Sequence, residues 1–135
     1  METTYPITLA GGSKVNITMR NFTIATDQPV SDGGENSAPS PFELFLASLG
    51  ACAGYFVVAF CNARKILVDG IKMSQTVVRN EMTHMVEKVL INIQLPKEFP
   101  EKYKEAVLRA AESCTVKKHL AAPPQVQLNT SMAAV

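Results

Sequence analysis

An α+β fold is predicted for this 135-residue chain, and three features of the sequence predict it. Short segments of alternating apolar and polar residues fill the N-terminal part. A twenty-residue stretch without a charge, Leu44 to Ala63, follows them. Beyond it come two more alternating segments and an amphipathic helical pattern. The resulting order, β-β-β-α-β-β-α-β, segregates strands from helices instead of alternating them as a parallel α/β sheet does. The length suits a single domain over residues 1–135.

The elements follow in chain order. A first strand is expected near Tyr5–Ala10, closed by a turn at Gly11-Gly12. Residues 14–26 place apolar side chains at Val15, Ile17 and Met19, then at Phe22 and Ile24. The break at Arg20-Asn21 predicts a hairpin or bulge between two half-buried strands. Residues 27–41 hold Pro29, Gly33, Gly34, Pro39 and Pro41 among polar residues, which reads as a loop near the upper length for a compact domain.

The uncharged stretch reads as one long helix. Pro41 suits the first helical position, Ser40 the N-cap and Glu43 the first turn, while Arg64 and Lys65 suit the C-terminal end. Such a helix is long enough to span a bilayer. Ser48, Cys52, Tyr55 and Asn62 interrupt its apolarity, and strand-like flanks of soluble character surround it. A helix apolar on all sides must be covered on all sides. One sheet covers one face, so a second subunit is the expected cover for the other.

After Asp69-Gly70, residues 71–80 and 85–95 carry two more strand patterns. Residues 101–112 form an amphipathic helix with Tyr103, Val107, Ala110 and Ala111 on one stripe. A shorter helix is expected around Cys114–Leu120, with Ser113 as its cap. A last strand is expected at Gln125–Asn129.

Composition narrows the function. Thirteen Lys and Arg against twelve Asp and Glu give a net charge of +1, so the basic excess of a general nucleic-acid binder is missing. Three cysteines do not fit a secreted disulfide scaffold. No basic-then-apolar leader opens the sequence, and the expected location is the cytoplasm. No Ser/His/Asp triad, phosphate-binding glycine loop or metal-ligand spacing is present, and no cofactor is expected.

The cysteines remain. Cys61 follows Cys52 by nine residues, about 900° of ideal helix, so the two lie on opposite sides and roughly 13 Å apart along the axis. They cannot bridge, and Cys61 reads as a buried structural thiol. Cys114 begins a helix with Lys117, Lys118 and His119 in the next turn, surroundings that favour a thiolate. A partly buried thiol beside a solvated basic turn is the alternative.

The run from Ser40-Pro41-Phe42-Glu43-Leu44 to Gly50-Ala51-Cys52, with the later Cys114-Thr115-Val116-Lys117-Lys118-His119-Leu120, resembles the two cysteine motifs of the OsmC/Ohr family. This family comprises the osmotically inducible protein C and organic hydroperoxide resistance proteins. The Asp27-Gln28-Pro29 and Gly33-Gly34 loop is similar to the general OsmC-like branch. The likeness runs from about residue 14 to residue 128. It implies an OsmC-like fold with a long central helix and an intertwined homodimer, and it removes the membrane reading; the charge balance already spoke against a nucleic-acid partner. It also implies that Cys52 and Cys114 meet in a pocket at the subunit interface. By motif matching Cys52 is the attacking thiol and Cys114 the resolving thiol of a peroxidase acting on organic hydroperoxides. A dithiol, of lipoyl type among other candidates, would be the reductant.

Two positions depart from the peroxidase pattern. Where the family has a catalytic arginine this chain has Gly11-Gly12-Ser13-Lys14, and Lys14 keeps the charge without the planar fork. Arg20 is a substitute if the strand register is shifted. The carboxylate that orients the arginine falls at Phe42, with Glu43 one residue later; on a continuous helix Glu43 is about 180° from Cys52. Glu43 could act only from a distorted helix start or across the dimer, and otherwise reads as a first-turn carboxylate. The alternative function is a non-enzymatic OsmC-like dimer that binds a ligand or senses redox state.

Overall fold

The computed structural model describes residues 1–134, in two compact units, Met1–Ser48 and Leu49 onward. The first is an antiparallel meander of β1 (Ile7–Leu9), β2 (Val15–Met19) and β3 (Phe22–Thr26). Ile7 pairs with Ile17 and Ile17 with Ile24, so one pleat face carries a row of β-branched side chains. The β2–β3 register runs without a slip to Met19 opposite Phe22, across the expected turn at Arg20-Asn21. Arg20 adopts a positive φ of 54° there, with its guanidinium carbon 4.9 Å from the centre of the Phe22 ring.

Asp27 organises the long loop. It is 1% exposed, and its carboxylate accepts from the backbone N–H of Gln28 (2.8 Å), Glu35 (3.2 Å) and Ser37 (3.0 Å) and from the Ser37 hydroxyl (2.6 Å). A short 3-10 turn at Val30–Asp32 lies inside the loop. A Cβ at Gly34 would run into the Gln28 carbonyl, so only glycine lets the loop close this tightly. The Ser37 hydroxyl and the backbone donors hold the Asp27 carboxyl at about 2, below its ordinary 3.8. Because the folded-state value is depressed, this stabilisation is complete above about pH 4 and is lost as the pH falls toward 2. Asp27→Asn is therefore expected to lower the thermal midpoint at neutral pH. The gap from wild type should narrow as the pH drops through that window in a series of melting curves; a gap independent of pH would contradict the assignment.

Helix α1 (Pro41–Ala63) starts as its sequence predicts. Ser40 N–H donates to a Glu43 carboxylate oxygen (3.0 Å) and Glu43 N–H to the Ser40 hydroxyl (3.3 Å), a reciprocal capping box. Its length and mean hydropathy of 2.1 would suffice to cross a membrane, by length and composition alone.

In the second unit, Ala53, Val57, Phe60 and Cys61 of α1 form a core with Val107 and Ala111 of α2 (Lys104–Ala111). The hairpin of β4 (Lys72–Arg79) and β5 (Val86–Gln94) adds Met73, Ile91 and Ile93. Val107, 1% exposed, contributes about 1.5–3 kcal/mol by its burial. At the end of α1, Arg64 stacks over Phe60 (3.7 Å to the ring centre), and Phe60 meets Tyr103 edge-on. The amphipathic pattern over 101–112 divides into a 3-10 turn at Glu101–Tyr103 and α2.

Helix α3 (Thr115–Ala121) corrects one expectation: Cys114, not Ser113, is its N-cap. A second correction concerns Gln125–Asn129, which forms no strand. A strand needs a partner edge, and among the described residues the segment is paired with none; Val126 is 78% and Leu128 90% exposed.

Candidate functional site

The site grows from the contact of α1 with the start of α3. Cys52, at the middle of α1, is partly exposed; Cys114 is 3% exposed, and both are free thiols. Close to the Cys52 sulfur are the Val116 and Thr115 amides, the Thr115 hydroxyl and the Cys114 thiol. These donors, the Val116 amide foremost, draw the Cys52 thiol below its ordinary value of 9.0, against the opposing effect of partial burial. The first turn of any helix has N–H groups without an internal acceptor, and here those groups face a sulfur on another helix.

Cys114 is held by its own helix. Its sulfur accepts from Lys117 N–H at 3.4 Å, and its carbonyl accepts from Lys118 N–H at 3.1 Å. The pair therefore has one thiol primed toward the thiolate and a second thiol beside it. Cys114 also lines a groove of about 400 Å³. Apolar side chains of α1, β5, α2 and α3 make up most of its wall, with Glu112 and Lys117 as its charged members. A groove of this size and polarity suits a small ligand with an apolar body.

Lys14, Arg20 and Glu43 belong to the first unit, and each has a local partner there. Lys14 is ion-paired with Glu35 at 2.7 Å, and that carboxylate raises the ammonium above its ordinary value. Arg20 sits in the β2–β3 turn against Phe22. Glu43 serves the α1 capping box.

Thr115 and Val116 are the contributors the motif reading passed over. Their signal was available: two non-proline residues follow Cys114 at a helix start, where free amides are guaranteed. What was missing was the knowledge that these amides face Cys52. Cys61 is fully buried, as expected of a structural thiol, and burial pushes its thiol up. A maleimide is accordingly expected to modify Cys52 in the native protein and Cys61 only after unfolding; peptide mapping of a timed reaction checks the order.

With this geometry in view, a family profile described as OsmC-like protein matches residues 34–129. The chain belongs to the OsmC-like family. Solved structures agree. A protein of Psychrobacter arcticus 273-4, named for osmotic stress induction and a detoxification response, is 27% identical with a TM-score of 0.73, covering 87% of this chain and 88% of that one. An OsmC-like protein of Mycoplasma pneumoniae gives 18% identity and a TM-score of 0.66, with 91% of each chain covered. An organic hydroperoxide resistance protein OsmC of Legionella pneumophila gives 22% and 0.53, over 87% and 89%. No match emerges among curated protein sequences. The OsmC-like fold is thus that of this chain, with two antiparallel sheets and three α-helices among the described residues.

Proposed function

We propose that this OsmC-like protein is a cytoplasmic thiol peroxidase that reduces organic hydroperoxides with Cys52 and Cys114. The observation that carries this reading is the Cys52 sulfur set among the donors of Thr115, Val116 and Cys114, with Cys114 in turn lining an apolar groove. The Cys52 thiolate attacks the terminal oxygen of the O–O bond, giving a sulfenic acid on Cys52 and releasing an alkoxide that takes up a proton to become an alcohol. The Cys114 thiol then displaces water from the sulfenic acid, forming the Cys52–Cys114 disulfide. A dithiol reductant supplies two electrons and two protons to restore both thiols. The name of the Legionella relative supports the substrate class.

The working unit in this reading is a homodimer. Along α1, Phe45, Tyr55 and Val58 remain 37%, 64% and 40% exposed, an apolar surface that a second subunit would cover. A second reading has its own support. The engaged ammonium of Lys14 and the absence of an arginine at that position favour an OsmC-like dimer that binds a ligand or senses redox state without fast turnover.

Dithiol-dependent consumption of cumene hydroperoxide separates the two. The peroxidase reading expects rates well above those of free dithiol, and a Cys52–Cys114 disulfide detected by mass spectrometry after one equivalent of peroxide. Disulfide without turnover would favour redox sensing. Neither product would leave ligand binding.

A further inference from the structure

We infer that Lys117 is a specificity-determining residue, holding the carboxylate of an amphipathic hydroperoxide whose apolar body lies in the groove beside Cys114. The inference rests on the peroxidase reading and adds to it a preference among substrates.

Three basic residues stand in a row at Lys117, Lys118 and His119, yet only Lys117 lines the groove. The His119 ring turns back onto its own helix, where Nδ1 donates to the Thr115 carbonyl at 2.8 Å. Lys117 is tied to the redox pair through its backbone, since its N–H donates to the Cys114 sulfur. That bond fixes the origin of the lysine side chain one turn from the thiol. Its ammonium makes no ion pair among the described residues, in contrast to Lys14.

The rest of the wall is hydrocarbon apart from Glu112. Lys117 is exposed overall, and where its ammonium nears that wall it attracts an anion more strongly than in open water, because the effective dielectric constant is lower. A lysine is a compact point charge with rotatable donors, which suits a carboxylate arriving from solvent without a fixed geometry. The apolar tail gains by leaving water along the groove. Glu112 repels the same carboxylate, so the two charged members of the wall act in opposite directions on one substrate.

The test compares a hydroperoxide of linoleic acid with its methyl ester, which share a tail and differ in the charge of the head. The readout is the ratio of kcat/KM for acid over ester, with cumene hydroperoxide as a third substrate. Wild type should prefer the acid. Lys117→Met should lower the ratio about tenfold, the loss of one charge-assisted hydrogen bond; Lys117→Arg should retain it, and Glu112→Gln should raise it. A ratio unchanged in Lys117→Met, with turnover of the ester and cumene hydroperoxide intact in wild type, overturns the role of Lys117 alone. Absence of turnover with all three substrates in wild type overturns the peroxidase reading and this inference together.

Discussion

Replacing Cys52 by serine is expected to reduce dithiol-dependent hydroperoxide consumption to the level of free dithiol, a fall of about a thousandfold or more. A serine hydroxyl in the same place stays protonated at neutral pH, and oxygen is a poor nucleophile toward a peroxide bond. Replacing Cys114 should leave a different trace. Cys114→Ser retains an N-cap for α3, since serine is among the better capping residues, so the helix amides still face Cys52. The variant should react once with peroxide and stop at the sulfenic acid, which dimedone traps on Cys52 and mass spectrometry locates. Wild type treated in the same way should give the disulfide. A dimedone adduct on Cys114 in the Cys52→Ser variant, with none on Cys52 in the Cys114→Ser variant, would reverse the assigned roles.

Thr115→Pro is expected to weaken Cys52 as a nucleophile without unfolding α3. Proline suits the first position of a helix, where its missing N–H costs no internal bond. The residue before a proline must be extended, and Cys114 already has φ −51° and ψ 123°. The substitution removes both the Thr115 amide and hydroxyl donors to Cys52 while the Val116 amide remains. A hydrogen bond to a charged group is worth about 1.5–3 kcal/mol when well buried; the partial exposure of Cys52 reduces this. The rate of iodoacetamide alkylation at pH 7 should therefore fall by roughly three- to tenfold. The sign is fixed by the direction of the shift. In wild type, half of the thiol is ionised at a pH below the ordinary thiol value, and in Thr115→Pro that midpoint moves up. Thr115→Val removes the hydroxyl alone and should fall between the two. Coincident pH profiles for wild type and Thr115→Pro would mean that the Thr115 donors do not set the reactivity of Cys52.

Features that depend on neighbours in sequence were legible before any coordinates. Ser40, Pro41 and Glu43 predict the start of α1, and the capping box forms among those same residues. Arg20-Asn21 predicts the turn that joins β2 to β3, because a two-residue break between alternating segments leaves few other conformations. Features that depend on a distant partner were not legible. Gln125–Asn129 has the alternation of a strand, but a strand forms only where packing brings it to an edge, and among the described residues this segment is paired with none. Asp27 looked like one polar loop residue among several. Its role depends on Ser37, ten residues on, folding back to its carboxylate.

The cysteines show the same division. Sequence alone set Cys61 apart from Cys52, because helical geometry places nine residues on opposite faces, and Cys61 is indeed buried in the core. Cysteine chemistry, the long apolar helix and the OsmC-like motifs likewise required no coordinates. The sequence reading, however, assigned the activating helix N-terminus to Cys114, the residue adjacent to it. Tertiary structure divides these donors: the Lys117 amide of α3 donates to the Cys114 sulfur, and the Thr115 and Val116 amides act on Cys52, 62 residues away in the chain. The physical reason is that a helix N-terminus directs its amides outward along the axis, toward whatever the packing brings there. Local sequence determines that such donors exist, and only the packing of α3 on α1 determines which thiol receives them.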